Sequence, residues 1–150
     1  MTELSTPTML ERIGGEPKLR ALCERFHALV LDDRLLNAMF AYSGDSHVDH
    51  LTTFLVEMFG GPARYSSELN GIDGLYDAHL ELGIEEEQRQ RFVQLLLQAA
   101  DETGMPSDEA FRSQFARHIE AGSRFSMKFS QPGLAAAPRP TFPEIDPWTW

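Results

Sequence analysis

A histidine at the end of an apolar helical stripe is the clearest candidate for chemistry in this sequence. Ile72, Leu75, Tyr76 and His79 follow one another at intervals of three, one and three residues. On an α-helix this spacing puts them on one face, with the imidazole aimed at whatever packs against that face. Such a histidine is either a core residue with a satisfied hydrogen bond or a ligand to a metal or cofactor. Taken alone, the stripe favours the core interpretation.

Two further histidines are predicted to face inward. His27 lies on the apolar face of a helix predicted for residues 18–31, and His47 lies on the apolar face of a helix predicted for residues 47–59, with Ser46 as its N-cap. A buried imidazole needs a partner for at least one ring nitrogen, so the core or a ligand has to supply one.

The spacing His47-x-x-His50 is also compatible with a metal pair on one helix face. A zinc or di-iron site of this kind needs carboxylates on the apolar faces of neighbouring helices, and Glu57 is the only acid near this face. His50 is therefore expected at the half-exposed edge of the stripe, and His118 is expected to be structural or exposed.

Apolar stripes interrupted by glycines predict an all-α domain over residues 1–130. The pairs Gly14-Gly15 and Gly60-Gly61 are the clearest helix ends. Helices are predicted for residues 8–13, 18–31, 32–40, 47–59, 63–69, 72–82, 84–103 and from 106 to about 129.

Residues 131–150 are predicted to form an extended tail. Five of the last 20 residues are proline, and the chain ends Trp148-Thr149-Trp150. The tryptophans are compatible both with docking on an apolar patch and with a mobile terminus.

The net charge and the cysteine content indicate which binding partners and which cellular compartment to expect. The net charge of −10 argues against nucleic acid and anionic membranes as partners, because phosphate binding needs clustered cations. Cys23 is the only cysteine, which predicts a reducing compartment and a cytoplasmic protein. No apolar run approaches the roughly 20 residues of a membrane span.

In order and spacing, these features resemble the truncated (two-over-two) haemoglobins, in particular their group II branch of bacteria and plants. The resemblance covers residues 9–130. It rests on the two glycine pairs, Phe26-His27-Ala28-Leu29-Val30, Asp33-Arg34-Leu35-Leu36, Pro62-Ala63-Arg64-Tyr65-Ser66, His79 with Ile84 five residues later, and Phe92 thirteen residues after His79.

The resemblance implies a globin-like two-over-two helical sandwich around haem b, with His79 as the iron ligand. It changes the interpretation of His79 from core residue to metal ligand. His27, His47 and Phe92 are then expected on the distal side, where the sixth ligand binds. The expected haem contacts are Phe40, His47, His50, Leu51, Phe54, Arg64, Tyr65, Leu75, Tyr76, His79, Phe92 and Leu96.

The distal side departs from the group II pattern. That pattern has a tyrosine where His27 stands and a tryptophan where Phe92 stands, and phenylalanine cannot donate a hydrogen bond. Ala78 replaces the arginine that pairs with a haem propionate, which leaves His50, Arg64 or Tyr65 as candidates for that role. His27 and His47 either reach the iron or hydrogen-bond the bound ligand; the sequence leaves both open.

Three functions are compatible with this sequence. The first is a globin that binds or transports dioxygen or another diatomic gas. The second is a peroxidase or nitric oxide dioxygenase, which requires an electron-donating reductase. The third is a cofactor-free helical interaction module. A homodimer is compatible with all three.

Overall fold

The computed structural model describes residues 6–41, 44–138, Trp148 and Trp150, with the backbone alone for residues 44 and 45. Every regular element in these residues is a helix. The helices are α1 Met9–Ile13, α2 Glu16–Leu31, α3 Asn37–Phe40, α4 Gly44–Met58, α5 Arg64–Glu68, α6 Gly71–His79, α7 Glu86–Glu102 and α8 Glu109–Phe129. Within the described ranges, no helix is both long and apolar enough to cross a membrane.

Several helix ends follow the sequence signals, whereas the helix predicted for residues 32–40 covers only Asn37–Phe40 and the one predicted for 72–82 ends at His79. Thr8 and Glu11 form a capping box at α1, and Gly14 ends that helix in the left-handed region at φ 106°. Helix α4 begins at Gly44, so Ser46 lies inside its first turn and the predicted cap at Ser46 is wrong. The run Ser43-Gly44-Asp45-Ser46 offers four consecutive residues of capping type, and propensity alone cannot choose among them.

Two apolar cores lie on either side of α4 and α5. The main core joins α1, α2, α4, α7 and α8, and its largest fully buried side chains include Phe26, Phe59, Phe111 and Phe115. The second core is formed by Tyr65, Leu75, Tyr76 and Phe129. Helix α6 packs on α5 and α8, whereas α2 packs on both α4 and α7. The helix that carries His79 is therefore supported by the second core.

The two tryptophans of the tail dock on the ends of α1 and α8. Trp150 stacks on Phe111 at 5.9 Å between ring centroids and donates from its indole nitrogen to the carbonyl of Pro7 at 2.5 Å. The guanidinium of Arg12 lies 4.7 Å from the Trp150 ring, and Trp148 stacks on Trp150 at 5.8 Å. Docking is thus the outcome for these two residues; residues 139–147 and Thr149 lie outside the described part of the chain.

Replacing Trp150 by alanine should lower the free energy of unfolding by about 2 kcal/mol. The loss combines partial burial of an aromatic ring, its stacking and its cation–π contact. Urea denaturation followed by circular dichroism measures the change. The matched control is Leu82→Ala, which truncates a 44% exposed apolar side chain and should change stability much less. Equal losses in the two variants would show that the tail does not contribute through docking.

Candidate functional site

His79 is held in the protonation state that a metal ligand requires. It is the last residue of α6, and its Nδ1 lies 2.7 Å from the carbonyl oxygen of Leu75, four residues earlier. Because a carbonyl only accepts, Nδ1 must donate, and the lone pair is left on Nε2. Burial lowers the pKa of His79, so the ring stays neutral at physiological pH. A neutral imidazole with one ring nitrogen fixed by a backbone carbonyl is the usual form of a metal-binding histidine.

Aromatic packing and the loop after α6 position His79. The ring of Phe129 meets the His79 ring edge-to-face at 5.6 Å and stacks on Tyr76 at 4.2 Å. The loop itself is tied to the end of α8, because the amide of Gly83 donates to the carbonyl of Ser130 at 2.7 Å and the amide of Ile84 donates to the hydroxyl of Ser130 at 3.0 Å.

His27 on α2 and His47 on α4 form a hydrogen-bonded pair. Their Nδ1 atoms are 3.2 Å apart, so one Nδ1 donates to the other and the two rings carry different tautomers. The ring of His47 is packed against Phe40 at 4.6 Å and Phe26 at 6.4 Å. The pair joins two helices that the sequence separates by 20 residues.

The pKa of His47 is lowered to about 4. Burial is the main cause, and positive charge on His27, His50 and His79 adds to it. His47 is therefore a neutral imidazole over the whole physiological pH range.

The remaining residues predicted from the sequence line both cores. Phe40, Leu51, Phe54 and Phe92 are partly buried against the main core, in which Leu96 is fully buried, while Tyr65, Leu75 and Tyr76 belong to the second core. Phe54 packs on both cores and meets the ring of Tyr65 at 5.3 Å.

The three residues predicted to hold propionates have different surroundings. His50 is exposed on α4. Arg64 is ion-paired with Glu16 at 2.5 Å, which directs its guanidinium toward the start of α2. Tyr65 is buried, and burial together with the charge of Glu57 raises the pKa of its hydroxyl. His50 and Arg64 thus remain candidates at the surface, and Tyr65 is a candidate inside.

Phe26 and Phe129 were missed as site residues. Phe26 is fully buried and meets Phe92 edge-to-face at 5.0 Å, and Phe129 contacts His79. Each phenylalanine lies on the apolar face of its own helix. The sequence pattern of one helix does not show which residues of that face contact a histidine on another helix. The only signal was position: Phe26 directly precedes His27.

The donor set fits a cofactor that brings its own metal ligands. Within the described residues, no three His, Cys, Asp or Glu side chains are grouped to hold a metal ion. A neutral imidazole with a free ring nitrogen, together with the apolar and aromatic side chains of the two cores, suits an iron whose other ligands belong to a flat apolar macrocycle.

Comparison with known proteins decides the family. A family model described as bacterial-like globin matches residues 8–120. The chain belongs to the bacterial-like globin family. The predicted resemblance to truncated haemoglobins and the all-α globin-like fold are both confirmed.

Solved structures and curated relatives agree with this assignment. A haemoglobin from Chloroflexus aurantiacus is 30% identical, with a TM-score of 0.72 over 81% of this globin and 98% of that chain. The group II truncated haemoglobin from Bacillus anthracis has a TM-score of 0.75 at 22% identity, over 89% of this globin and 98% of that chain, and so supports the fold. A group 1 truncated haemoglobin from Nostoc commune is 34% identical over 61 residues, which span 39% of this globin and 50% of that relative.

Family membership implies a haem cofactor and a small diatomic ligand, and the side chains of this globin fit such a group. Leu75 fixes the tautomer of His79, and the two cores supply apolar and aromatic side chains, among them Phe54, which packs on both. His79 is the residue suited to hold the iron.

Proposed function

We propose that this globin binds haem b through Nε2 of His79 and takes up oxygen or another diatomic ligand beside His27 and His47. The observation that carries the proposal is the hydrogen bond from Nδ1 of His79 to the carbonyl of Leu75, because it leaves the lone pair of Nε2 free to bind iron. When bound, haem supplies an iron that accepts a diatomic ligand opposite this histidine.

The histidine pair would donate a hydrogen bond to the ligand. If Nδ1 of His27 donates to Nδ1 of His47, the proton of His47 resides on Nε2, where it can be offered to a ligand. The rings of Phe26 and Phe40 restrict His47, and Phe92 adds apolar surface that keeps water away. His27 then acts as a positioning residue that sets the tautomer of His47.

A resonance Raman spectrum of the ferrous protein tests this arrangement. Because Nε2 of His47 is protonated when His27 donates to its Nδ1, we expect a five-coordinate high-spin iron with His79 as its only protein ligand. A six-coordinate low-spin spectrum would mean that His27 or His47 occupies the ligand position, and it would overturn the proposed role of the pair.

Replacing His47 by leucine should speed oxygen dissociation by roughly 10- to 100-fold. The variant removes the donor to a partly charged ligand, a hydrogen bond worth about 1.5–3 kcal/mol. Stopped-flow displacement of oxygen by carbon monoxide measures the rate. The matched control is His50→Leu, in which the replaced imidazole is exposed on the same helix. Unchanged dissociation in the His47 variant would refute the hydrogen-bond role.

Acidification should destabilise the fold between pH 6.5 and 4 through His47. The pKa of this residue is about 4 in the folded protein, against 6.5 as its ordinary value, so the unfolded chain binds more protons in this interval. Stability is therefore full above pH 6.5 and is lost as the pH falls toward 4. Urea midpoints from pH 4 to 8 should show a steeper fall for the parent than for His47→Gln; parallel curves would assign the slope to other groups.

A redox function is the second candidate, and the lowered pKa of His47 favours it. An imidazole that remains neutral can act as a general base toward a peroxide substrate. A nitric oxide dioxygenase or peroxidase of this kind would need a reductase or another electron donor. Reaction of the ferric protein with hydrogen peroxide should be slowed strongly in His47→Leu and little in His50→Leu if this role holds.

A further inference from the structure

A cavity lies beside Tyr76 and Phe129, the aromatic residues that pack near His79. Its volume is about 460 Å³, within the range of small-molecule sites. It is enclosed by α6, α8 and the residues that follow α8. The lining is apolar except for one cation and the buried tyrosine, and consists of Tyr76, Phe125, Lys128, Phe129, Leu134, Ala137 and Pro138.

Lys128 gives this cavity a defined chemical preference. It is exposed in the last turn of α8, and it takes part in no ion pair within the described ranges of the chain. The protein has a net charge of −10, so a cation beside an apolar cavity is a local exception that selects for an anion. A lysine is a point charge suited to one carboxylate, and the surrounding rings suit a hydrocarbon chain.

We propose that this cavity binds an apolar monocarboxylate, with its carboxylate on Lys128 and its hydrocarbon part against Phe125 and Phe129. The cavity shares Tyr76 with the expected haem contacts, and its other lining residues lie on α8 or after it. Phe129 couples the cavity to the iron ligand of the proposed function, because it lines the cavity and also meets the His79 ring at 5.6 Å. Phe129 is in addition stacked on Tyr76 at 4.2 Å, so a ligand that shifts either ring changes the packing of His79.

Calorimetric titration of the haem-loaded full-length protein with octanoate and with neutral octanamide tests the site. Octanoate should bind with one-to-one stoichiometry and about fivefold more tightly than octanamide, as expected for one exposed ion pair. Lys128→Gln should remove this preference. Lys18→Gln is the matched control, since Lys18 is the only other lysine and lies in the first turns of α2.

Three results would overturn the proposal. The first is the absence of saturable octanoate binding, and the second is equal behaviour of the two lysine variants. The third is a concentration-dependent dimer in sedimentation equilibrium without octanoate binding, which would make the cavity a contact for a second copy of the chain.

The coupling between the cavity and His79 is tested by a separate measurement. Octanoate should shift the iron–histidine stretching band of the ferrous protein. Phe129→Leu is expected to weaken octanoate binding, and it should still reduce that shift when octanoate is added to saturation of the variant. Binding without any shift would overturn the coupling to His79. Because calorimetry does not depend on ligand chemistry at iron, failure of this site and failure of the proposed function are distinguishable.

Discussion

A His79→Ala variant should be purified without stable haem, with the Soret absorption per chain reduced to a few per cent of the parent. The variant removes the one ring whose free Nε2 is fixed by a backbone bond, at 2.7 Å from Nδ1 to the Leu75 carbonyl. In the proposed tautomers Nε2 of His47 carries a proton, so His47 cannot replace it without rearranging the 3.2 Å contact with His27. The pyridine haemochrome assay gives the haem content per chain.

Two controls separate loss of the ligand from loss of the fold. His118→Ala removes an imidazole of α8 that is not among the expected haem contacts, and it should retain haem. Added imidazole should restore part of the haem binding in His79→Ala, because the cavity left by the side chain accepts a free ring. Stable haem with a normal spectrum in His79→Ala would refute the assignment of the iron ligand.

Removal of haem should lower the melting temperature by about 8–16 °C. A ligand present at roughly 1,000 times its dissociation constant stabilises the native state by about 4 kcal/mol, and a chain of this size melts about 2–4 °C lower per kcal/mol. The reason is structural: α6 packs only on α5 and α8 among its main contacts, and the second core contains just four buried residues. Circular dichroism at 222 nm of the haem-bound and haem-free proteins measures the difference.

Amide hydrogen exchange should show which helices lose stability when haem is removed. Amides of residues 64–83 should exchange much faster without haem, whereas α2 and α7 should stay protected because their shared core contains the fully buried Phe26 and Leu96. Re-addition of haem should reverse both effects. Equal melting temperatures with and without haem would show that the second core is stable alone.

Much of the helical frame followed from local rules. The glycine pairs end helices where predicted. Position 60 requires glycine for two reasons: its φ is 93°, and a Cβ there would lie 2.8 Å from the side chain of Thr8. The helix predicted for residues 72–82 ends at His79 instead, since residue 81 adopts φ 63° and the loop is tied to Ser130. That stop depends on a contact with a distant helix, which no local pattern encodes.

The sequence by itself determined the helices, their apolar faces and the suitability of His79, because the hydrogen bond to Leu75 spans one helical turn and needs no distant partner. Only the tertiary structure decided which residues face His79 and which support it. The pairing of His27 with His47, the contact of Phe129 with His79 and the docking of Trp150 on Phe111 join segments far apart in the chain. Such contacts depend on how helices cross and pack. The sequence periodicity of one helix shows which of its faces is buried, but not which residues of other helices contact that face.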